Sequence, residues 1–496
     1  MNIYEDKPQL ISTRTVMISF AVVMIIQPLF DIMSYFTNQI GITSISTLVR
    51  FGLLGLVTLF GFIISKRKGR YFICAGVLAA FFALHFMANY LAGYLSIGSD
   101  IAMYARVIQL PLFFLAFLDV FDVMKKEYTT EEINHYVNKL VVGILLTITA
   151  SIALSYAIGM PVYTYNSGLA GPHGIKGWYL NGNSQSVILC VVVSITLMTA
   201  VQSKNWFITI GLFTIGYGSL FFFGTKLTFY AMYLISAALI VIILFSKERQ
   251  LLKVVLVIAA IVSVYAFREQ SPMYVNTYYT DQSFEDWQHQ IDDIEKEDST
   301  KPVNPIVIKT DKSYFEQNRE LYTKTYKLSL NLSPIVDYYG IERVAEKYDY
   351  TLDATVLINN RNIKLVAASL VYDDTSTLQH VFGFEQQRYY VGGENFDLEN
   401  DLHGIFYSYG YVGFAMYLGF ILYVLLRGIY SYFFSKEFRF NQNLAIYLVA
   451  LGLIMGASQF SGHVLKRPNV VFYISLVMAL VTINSETILK RFKSKK

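Results

Sequence analysis

Apolar runs of about 18 to 24 residues recur along the chain, each long enough for an α-helix rising about 1.5 Å per residue to cross a hydrocarbon core of about 30 Å. They fall at residues 15–35, 44–65, 71–91, 101–123, 140–159, 185–202, 206–223, 227–246, 253–267, 405–427, 444–463 and 469–487, the ninth being short. That count of about twelve spans predicts an all-α polytopic membrane protein. Composition agrees: of 496 residues only 15% are charged, against about 25% in soluble domains.

Cys74 and Cys190, the only cysteines, both lie inside apolar runs and have no partners at metal-ligand spacing, so no disulfide framework is expected. The first fourteen residues, MNIYEDKPQLISTR, lack the basic start and cleavage site of a secretory signal, so the first span is expected to stay as an anchor. Cationic loops remain cytoplasmic. With alternating spans, one face collects KRKGR (66–70), MKKEY (124–128), KERQLLK (247–253), SKEFR (435–439) and the tail LKRFKSKK. That face holds about twenty Lys or Arg residues, against about four in the short loops opposite. Both termini are therefore expected in the cytoplasm, and the chain in the cytoplasmic membrane.

This parity puts the one long polar segment, residues 268–402, outside the cell. At about 135 residues it is too long for a structureless connection and should be a partly folded cap. Its start, DQSFEDWQHQIDDIEKEDSTKP, predicts a solvated acidic helix followed by a linker at Pro302 and Pro305. YFEQNRELYTKTYKLSL and YGIERVAEKY have helical periodicity, while TLDATVLINNRNIKLVAASLVYDD reads as helix or strand, with helix favoured. Three segments follow: an N-terminal membrane domain at 1–267, a loop domain at 268–402 before the tenth helix, and a C-terminal membrane domain at 403–496.

Charges in or beside membrane spans are expensive, so each is a functional candidate. Arg50 opens the second span, Arg106 lies in the outer third of the fourth, and Lys226 sits in FFFGTKLTFY, the turn between the seventh and eighth. His403 and His463 flank the tenth and eleventh, with Lys466 and Arg467 beyond. Singly, each has a bland reading: a long cation near a helix end snorkels to the interface, and a lone histidine is a satisfied interfacial residue. Together they gather on the face where cations should be scarce. Such a cluster suits a ligand with dense negative charge at the headgroup plane and an apolar tail, and a lipid diphosphate meets both demands.

A cation in a short outer turn between adjacent spans, a long outer loop with an arginine, and a histidine before YSYGYVGF together resemble the O-antigen ligase and O-antigen polymerase superfamily. These are polytopic glycosyltransferases that use polyprenyl-diphosphate-linked glycans. The resemblance implies a GT-C-like helical architecture. It makes Arg361, in INNRNIKL, the loop arginine that holds the donor diphosphate, and His403 the histidine placed at the acceptor. GFEQQRYYVGGENFDLENDLH looks like the family's stretch leading from a glycine-marked turn to that histidine. Lys226 stands where the family usually has an arginine, which keeps the charge and loses the fork geometry.

Chemistry reaches a neighbouring answer. Moving a sugar from a lipid diphosphate to a hydroxyl needs charge neutralisation on the leaving group and help removing the hydroxyl proton, which cations and an imidazole supply. Glu399 precedes His403 by one helical turn and can orient the ring, or Asp397, Glu399 and Asp401 merely favour a helix N-terminus. His403, Tyr407 and Tyr411 share one face of a straight helix, and Gly410 and Gly413 are expected to permit close packing. Tyr389, Tyr390 and Trp178 are sugar-facing candidates or members of an interfacial aromatic belt. In the loop NSGLAGPHGIKGWYLNGNS, His173 and Lys176 are possible ligand contacts or ordinary loop residues.

The expected catalytic residues are thus His403, Arg361 and Glu399, and the expected substrate contacts Lys226, Arg106, Arg361, Tyr407 and His463. No cofactor or metal is expected: EF-hand spacing, a helical His-Glu zinc pairing and a phosphate loop are all lacking. Expected partners are the polyprenyl-diphosphate-linked oligosaccharide donor, a glycan acceptor, membrane lipids and export or chain-length proteins, with no nucleic acid. Polymerisation of lipid-linked repeat units is the first expectation, ligation of a finished glycan the second. A flippase would place its polar residues at mid-membrane depth on both faces, beside broken helices.

Overall fold

The computed structural model describes residues 11–42, 45–167, 171–246, 250–298, 311–460, 462 and 464–486. In chain order its helices are α1 Thr13–Gln39, α2 Ile45–Ile64, α3 Gly69–Leu91, α4 Ile97–Val107, α5 Gln109–Met124, α6 Thr130–Ala157, α7 Gly182–Gln202, α8 Trp206–Phe223, α9 Lys226–Phe245 and α10 Leu251–Ala266. There follow α11 Pro272–Asp298, α12 Lys312–Gln317, α13 Arg319–Leu328, α14 Ser333–Tyr339, α15 Ile341–Lys347, α16 Ala354–Leu357, α17 Asn360–Asp373, α18 Thr377–Phe382, α19 Asp401–Phe434, α20 Gln442–Phe460 and α21 Pro468–Ile483. Strand among the described residues is confined to two small antiparallel hairpins, β1 Tyr165–Ser167 with β2 Gly171–His173, and β3 Tyr390–Val391 with β4 Glu394–Asn395.

Each apolar run read from the sequence falls largely on helix among the described residues, and the protein is an all-α polytopic membrane protein. Among the described residues ten spans are long and apolar enough to cross a membrane, the α4–α5 pair serving as one. Pro111, near the start of α5, lacks the N–H that an unbroken helix would donate to Val107, so α4 and α5 part at Ile108. The two remaining apolar helices, α10 and α21, have 16 residues each. Their settings differ: α21 is buried at every position from Val470 to Val481, whereas Leu252, Val255 and Val262 of α10 are all at least 60% exposed.

The described chain gathers into two compact units, 1–78 with 106–275 and 418–496, and 79–105 with 276–417. In the first, α7 is the centre. Its residues Ser184–Met198 are all buried, as a helix apolar on every side requires, and it packs on α6, α8 and α20. Polar side chains tie these helices where lipid offers no competing partner. Asn134 donates to Asn484 at 2.7 Å, Asn138 to Asn443 at 3.1 Å, and Tyr447 to Asn138 at 2.8 Å.

The second unit has its own core, built from Leu321, Tyr322, Tyr326, Ile335, Val344, Ile363, Leu370, Phe384 and Tyr389. Buried phenols need an acceptor, and Tyr322 and Tyr326 find theirs in the carbonyls of Tyr350 and Thr351, each at 2.9 Å. The segment that reads as helix or strand is helical, as α16 and α17. The acidic α11 is helical as expected but not solvated all round: Ile291 is buried and Trp287 and Ile294 pack on the core. The linker expected at Pro302 and Pro305 lies outside the described residues.

Residues 79–105 join this unit through a buried polar network. His85 meets the Phe382 carbonyl and Asp100, each at 2.8 Å, and Tyr94 also donates to Asp100. Asn89 donates to the Gly383 carbonyl at 3.1 Å and accepts from Gln379 at 3.0 Å. Glu385 accepts from the backbone of Leu95 and Ser96 at 2.6 and 2.8 Å. Together these bonds pin the 379–385 segment.

Candidate functional site

The site of the second unit begins with α17. Asn359 caps this helix by accepting from the Arg361 N–H at 3.0 Å, which sets Arg361 in its first turn. Lys364, one turn later, faces the same way. Both side chains reach Glu399: Lys364 Nζ lies 2.9 Å and Arg361 Nε 3.4 Å from its carboxylate. Glu399 is 22% exposed and Arg361 49%, so the cluster opens to solvent while its anion is half-sunk.

Four residues beyond Glu399 stands His403, in the first turn of α19. Asn400 accepts from the His403 N–H at 3.5 Å and its carbonyl from Gly404 at 2.8 Å, so Asn400 starts the helix. The imidazole is half-buried, and its Nδ1 is buried without a hydrogen-bond partner among the described residues. The carboxylate of Glu399 engages Arg361 and Lys364, and α19 begins only at Asp401, so Glu399 lies outside the helix whose i, i+4 spacing was expected to bring it to this ring. Asp401 takes the first-turn place that suits a carboxylate.

The shared face of His403, Tyr407 and Tyr411 is interrupted. Gly410 has φ 63° and ψ −170°, which bends α19 into Asp401–Tyr409 and Tyr411–Phe434. A Cβ on Gly410 would stand 2.5 Å from the Val381 carbonyl carbon and 2.6 Å from the Gly383 nitrogen. Close packing alone, expected for this glycine, understates its role, because the left-handed backbone is also required. Gly413 does serve packing: a Cβ there would meet the Phe81 ring at 2.6 Å. The bend releases the Tyr407 carbonyl, which accepts from Phe384 N–H at 3.1 Å. The Tyr407 ring lies 5.2 Å from Tyr372, whose hydroxyl also meets that of Tyr411 at 3.4 Å.

Of the sugar-facing candidates in this unit, Tyr390 is 50% exposed, whereas Tyr389 is 1% exposed and its hydroxyl lies 3.2 Å from that of Ser408. Tyr389 is a core residue.

In the first unit Lys226 is the first residue of α9, exposed, with no ion-pair partner among the described residues. Gly224, at φ +72°, ends α8, and Thr225 caps α9 by accepting from Thr228 N–H at 3.2 Å. A cation at a helix N-terminus opposes the macrodipole by about 0.3–1 kcal/mol, so the fold gains nothing from a lysine there. Arg106 closes α4, where the dipole favours a cation. His463 lies outside the described residues. Arg50 does not snorkel: it pairs with Asp31 at 2.9 Å and reaches Gln27 at 3.4 Å, and Asn469 donates to Asp31 at 3.1 Å. Trp178 is 5% exposed. His173 stacks on Tyr165 at 5.1 Å, and Lys176 donates to the Leu180 carbonyl at 3.1 Å, with burial pushing its ammonium below the usual lysine pKa.

The structure thus joins Arg361 to Glu399, four residues before His403 in the chain, and adds Lys364, which the sequence reading passed over although it stands three residues after Arg361 in INNRNIKL. The His85–Asp100 pair was also missed, and its signal was a histidine inside an apolar run. Among the described residues no group of three or more His, Cys, Asp or Glu is gathered to hold a metal ion.

Two cations on one carboxylate can neutralise a phosphoryl leaving group, and an imidazole whose Nδ1 has no hydrogen-bond partner among the described residues can take up a hydroxyl proton. Comparison with curated proteins found no match. The family model described as O-antigen ligase like membrane protein matches residues 15–488, and the chain therefore belongs to that family of membrane glycan-transfer proteins.

Proposed function

We propose that the protein is a glycosyltransferase that moves a polyprenyl-diphosphate-linked glycan to a sugar hydroxyl at the outer face of the cytoplasmic membrane, polymerising the repeat units of a surface polysaccharide. The acceptor oxygen attacks the anomeric carbon of the donor, the bond from that carbon to the diphosphate breaks, and polyprenyl diphosphate leaves. His403 takes the acceptor proton. Arg361, with Lys364 beside it, binds the diphosphate and neutralises the charge that grows on it, while Glu399 holds the two cations at a fixed spacing. Tyr407 offers a ring to the sugar next to His403. Lys226 is assigned to substrate binding on the family resemblance, and Arg106 and His463 on their place among the membrane-level polar residues, each to be tested singly.

The observation that supports this reading best is the Arg361–Glu399–Lys364 cluster, its carboxylate four residues from an imidazole whose Nδ1 has no hydrogen-bond partner among the described residues. The test is elongation by the purified protein of a synthetic polyprenyl-diphosphate oligosaccharide. Wild type should yield longer lipid-linked glycans, and His403→Ala and Arg361→Ala should not, though both fold. Undiminished elongation by both variants defeats the assignment. Product found only on a different acceptor makes the enzyme a ligase, and transbilayer movement of intact donor without transfer makes it a flippase.

A further inference from the structure

Two ionisable side chains of the second unit, His85 and Asp100, have no part in the reaction above and are both buried. Their setting fixes how many protons they hold. Nδ1 of His85 lies 2.8 Å from the Phe382 carbonyl, which can only accept, so Nδ1 carries a hydrogen. Nε2 lies 2.8 Å from Asp100 Oδ2, which also accepts from the Tyr94 hydroxyl. Asn89 Nδ2, 3.4 Å from Nε2, already donates to the carbonyls of His85 and Gly383 at 3.0 and 3.1 Å. One proton therefore sits between Nε2 and Oδ2. Without it, two lone pairs would face each other away from water, and the imidazole would lose its support from behind.

Phe382 is the last residue of α18, so its carbonyl has no partner within that helix and takes the imidazole N–H instead. The next residue, Gly383, at φ +89°, lies against α19, where a Cβ on it would overlap the Ser408 carbonyl and Tyr409 Cα. Phe384 N–H then donates to the Tyr407 carbonyl at 3.1 Å. His85 thus holds one end of a three-residue splint, and the other end holds the Asp401–Tyr409 part of α19, which carries His403.

We propose that His85 and Asp100 are positioning residues for glycan transfer: with one shared proton they hold the Phe382 carbonyl, and through the 382–384 backbone they set where His403 stands. Among the described residues the other titratable or charged groups around the pair are Tyr94, Tyr104, Tyr409, Glu385 and Arg388. Tyr94 donates to Asp100, the Tyr409 ring lies 5.8 Å from that of His85, and Tyr104 lies 5.9 Å from Tyr409. Glu385 is 3.9 Å from Arg388 and accepts from the Leu95 and Ser96 backbone. The latch is complete while the shared proton is present and opens when alkaline pH removes it.

The positioning role rests on the part given to His403 under the proposed function, and its test separates the two. Asp100→Asn is the conservative variant. Its Nδ2 can donate both to Nε2 of a neutral His85 and to the Tyr94 oxygen, while its Oδ1 still accepts from the Gln386 N–H, which lies 3.4 Å from Asp100 Oδ1. No shared proton is then needed. His85→Leu with Asp100→Leu removes the latch and leaves no buried charge behind. At neutral pH the double variant should lower kcat by about 100-fold, the cost of a misplacement of roughly 1 Å, with donor KM unchanged, and Asp100→Asn should turn over as wild type does. As pH rises, kcat should fall more in wild type than in Asp100→Asn. Wild-type kcat in the double variant, an effect on KM alone, or parallel pH profiles overturn the proposal. The pH comparison needs only wild type and Asp100→Asn, so it stands even where the double variant does not fold. Hydrogen exchange reads the latch without turnover: the Phe384 amide should exchange about tenfold faster in the double variant, as loss of one charged hydrogen bond implies, with α17 amides unchanged. If wild type transfers no glycan the enzymatic reading fails and exchange decides alone. Equal protection of Phe384, or equal loosening of α17, then overturns the positioning role.

Discussion

Replacing Gly410 with alanine should disable the protein from a position that touches no substrate. Gly410 holds φ 63°, a left-handed conformation that costs an L-residue about 1–2 kcal/mol. The new Cβ would also lie 2.5 Å from the carbonyl carbon and oxygen of Val381 and 2.6 Å from Gly383 N. Those atoms are backbone, pinned by the Asn89 and Gln379 bonds, so the overlap is relieved only by shifting a main chain, at roughly 1–3 kcal/mol. The sum, roughly 2–5 kcal/mol, lowers the melting temperature by roughly 5–15 °C at the 2–4 °C per kcal/mol of a unit of 150–250 residues. Because the same bend sets the helix that carries His403, a displacement of about 1 Å should cut kcat by roughly 100-fold even where the protein stays folded. Melting in detergent by intrinsic tryptophan fluorescence reads the first effect and donor turnover the second. Gly419→Ala, with no atom near its Cβ, is the control and should be neutral. Wild-type melting and turnover in Gly410→Ala would refute the claim that this backbone angle is required.

Three other perturbations probe the charges. Lys364→Met should raise the donor KM by about tenfold, the worth of one charged hydrogen bond to phosphate, with melting almost unchanged because the side chain is 26% exposed and its pair is weakly stabilising; initial rates across donor concentrations check it. Glu399→Gln removes the anion shared by Arg361 and Lys364 and so makes the site more positive by one charge, so kcat/KM for the donor should fall more steeply with added salt than in wild type; parallel salt curves refute the proximity of the pair. Arg50→Leu strands Asp31, 18% exposed, and should cost about 3–5 kcal/mol, part of which Arg50→Leu with Asp31→Leu restores; detergent melting of the three proteins is the measurement.

The spans were legible because each must by itself cover about 30 Å of hydrocarbon, a constraint written in consecutive residues. Legibility failed where a long-range contact overrides a local pattern. YSYGYVGF continues an apolar helix, and nothing in it announces that Val381 and Gly383 press against Gly410. A straight helix through Tyr411 was therefore expected, and the left-handed Gly410 breaks it. Glu399 failed for the same reason. Its four-residue distance from His403 suggested an orienting bond, but its partners Arg361 and Lys364 stand 38 and 35 positions away. Arg50 reads locally as a snorkelling cation, and only Asp31 on another helix makes it an internal ion pair.

The bend also answers why an imidazole stands at the border between a charged loop and an apolar helix. On a straight helix entering lipid, a residue two places past the N-terminus would be carried by the span and would follow its tilt. Here Asp401–Tyr409 is separated from the span by one left-handed residue and is held instead by backbone contacts to the 381–384 segment. That segment is fixed by Asn89, Gln379 and Glu385, all buried. The position of His403 relative to Glu399 and its two cations is thus set by the packed second unit. A span free to tilt in a fluid bilayer could not hold a proton acceptor within the few tenths of an ångström that group transfer demands. Moving the bend, by Gly410→Ala with Tyr411→Gly, should not rescue turnover, because the glycine would then stand one residue away from the Val381 and Gly383 backbone that requires it.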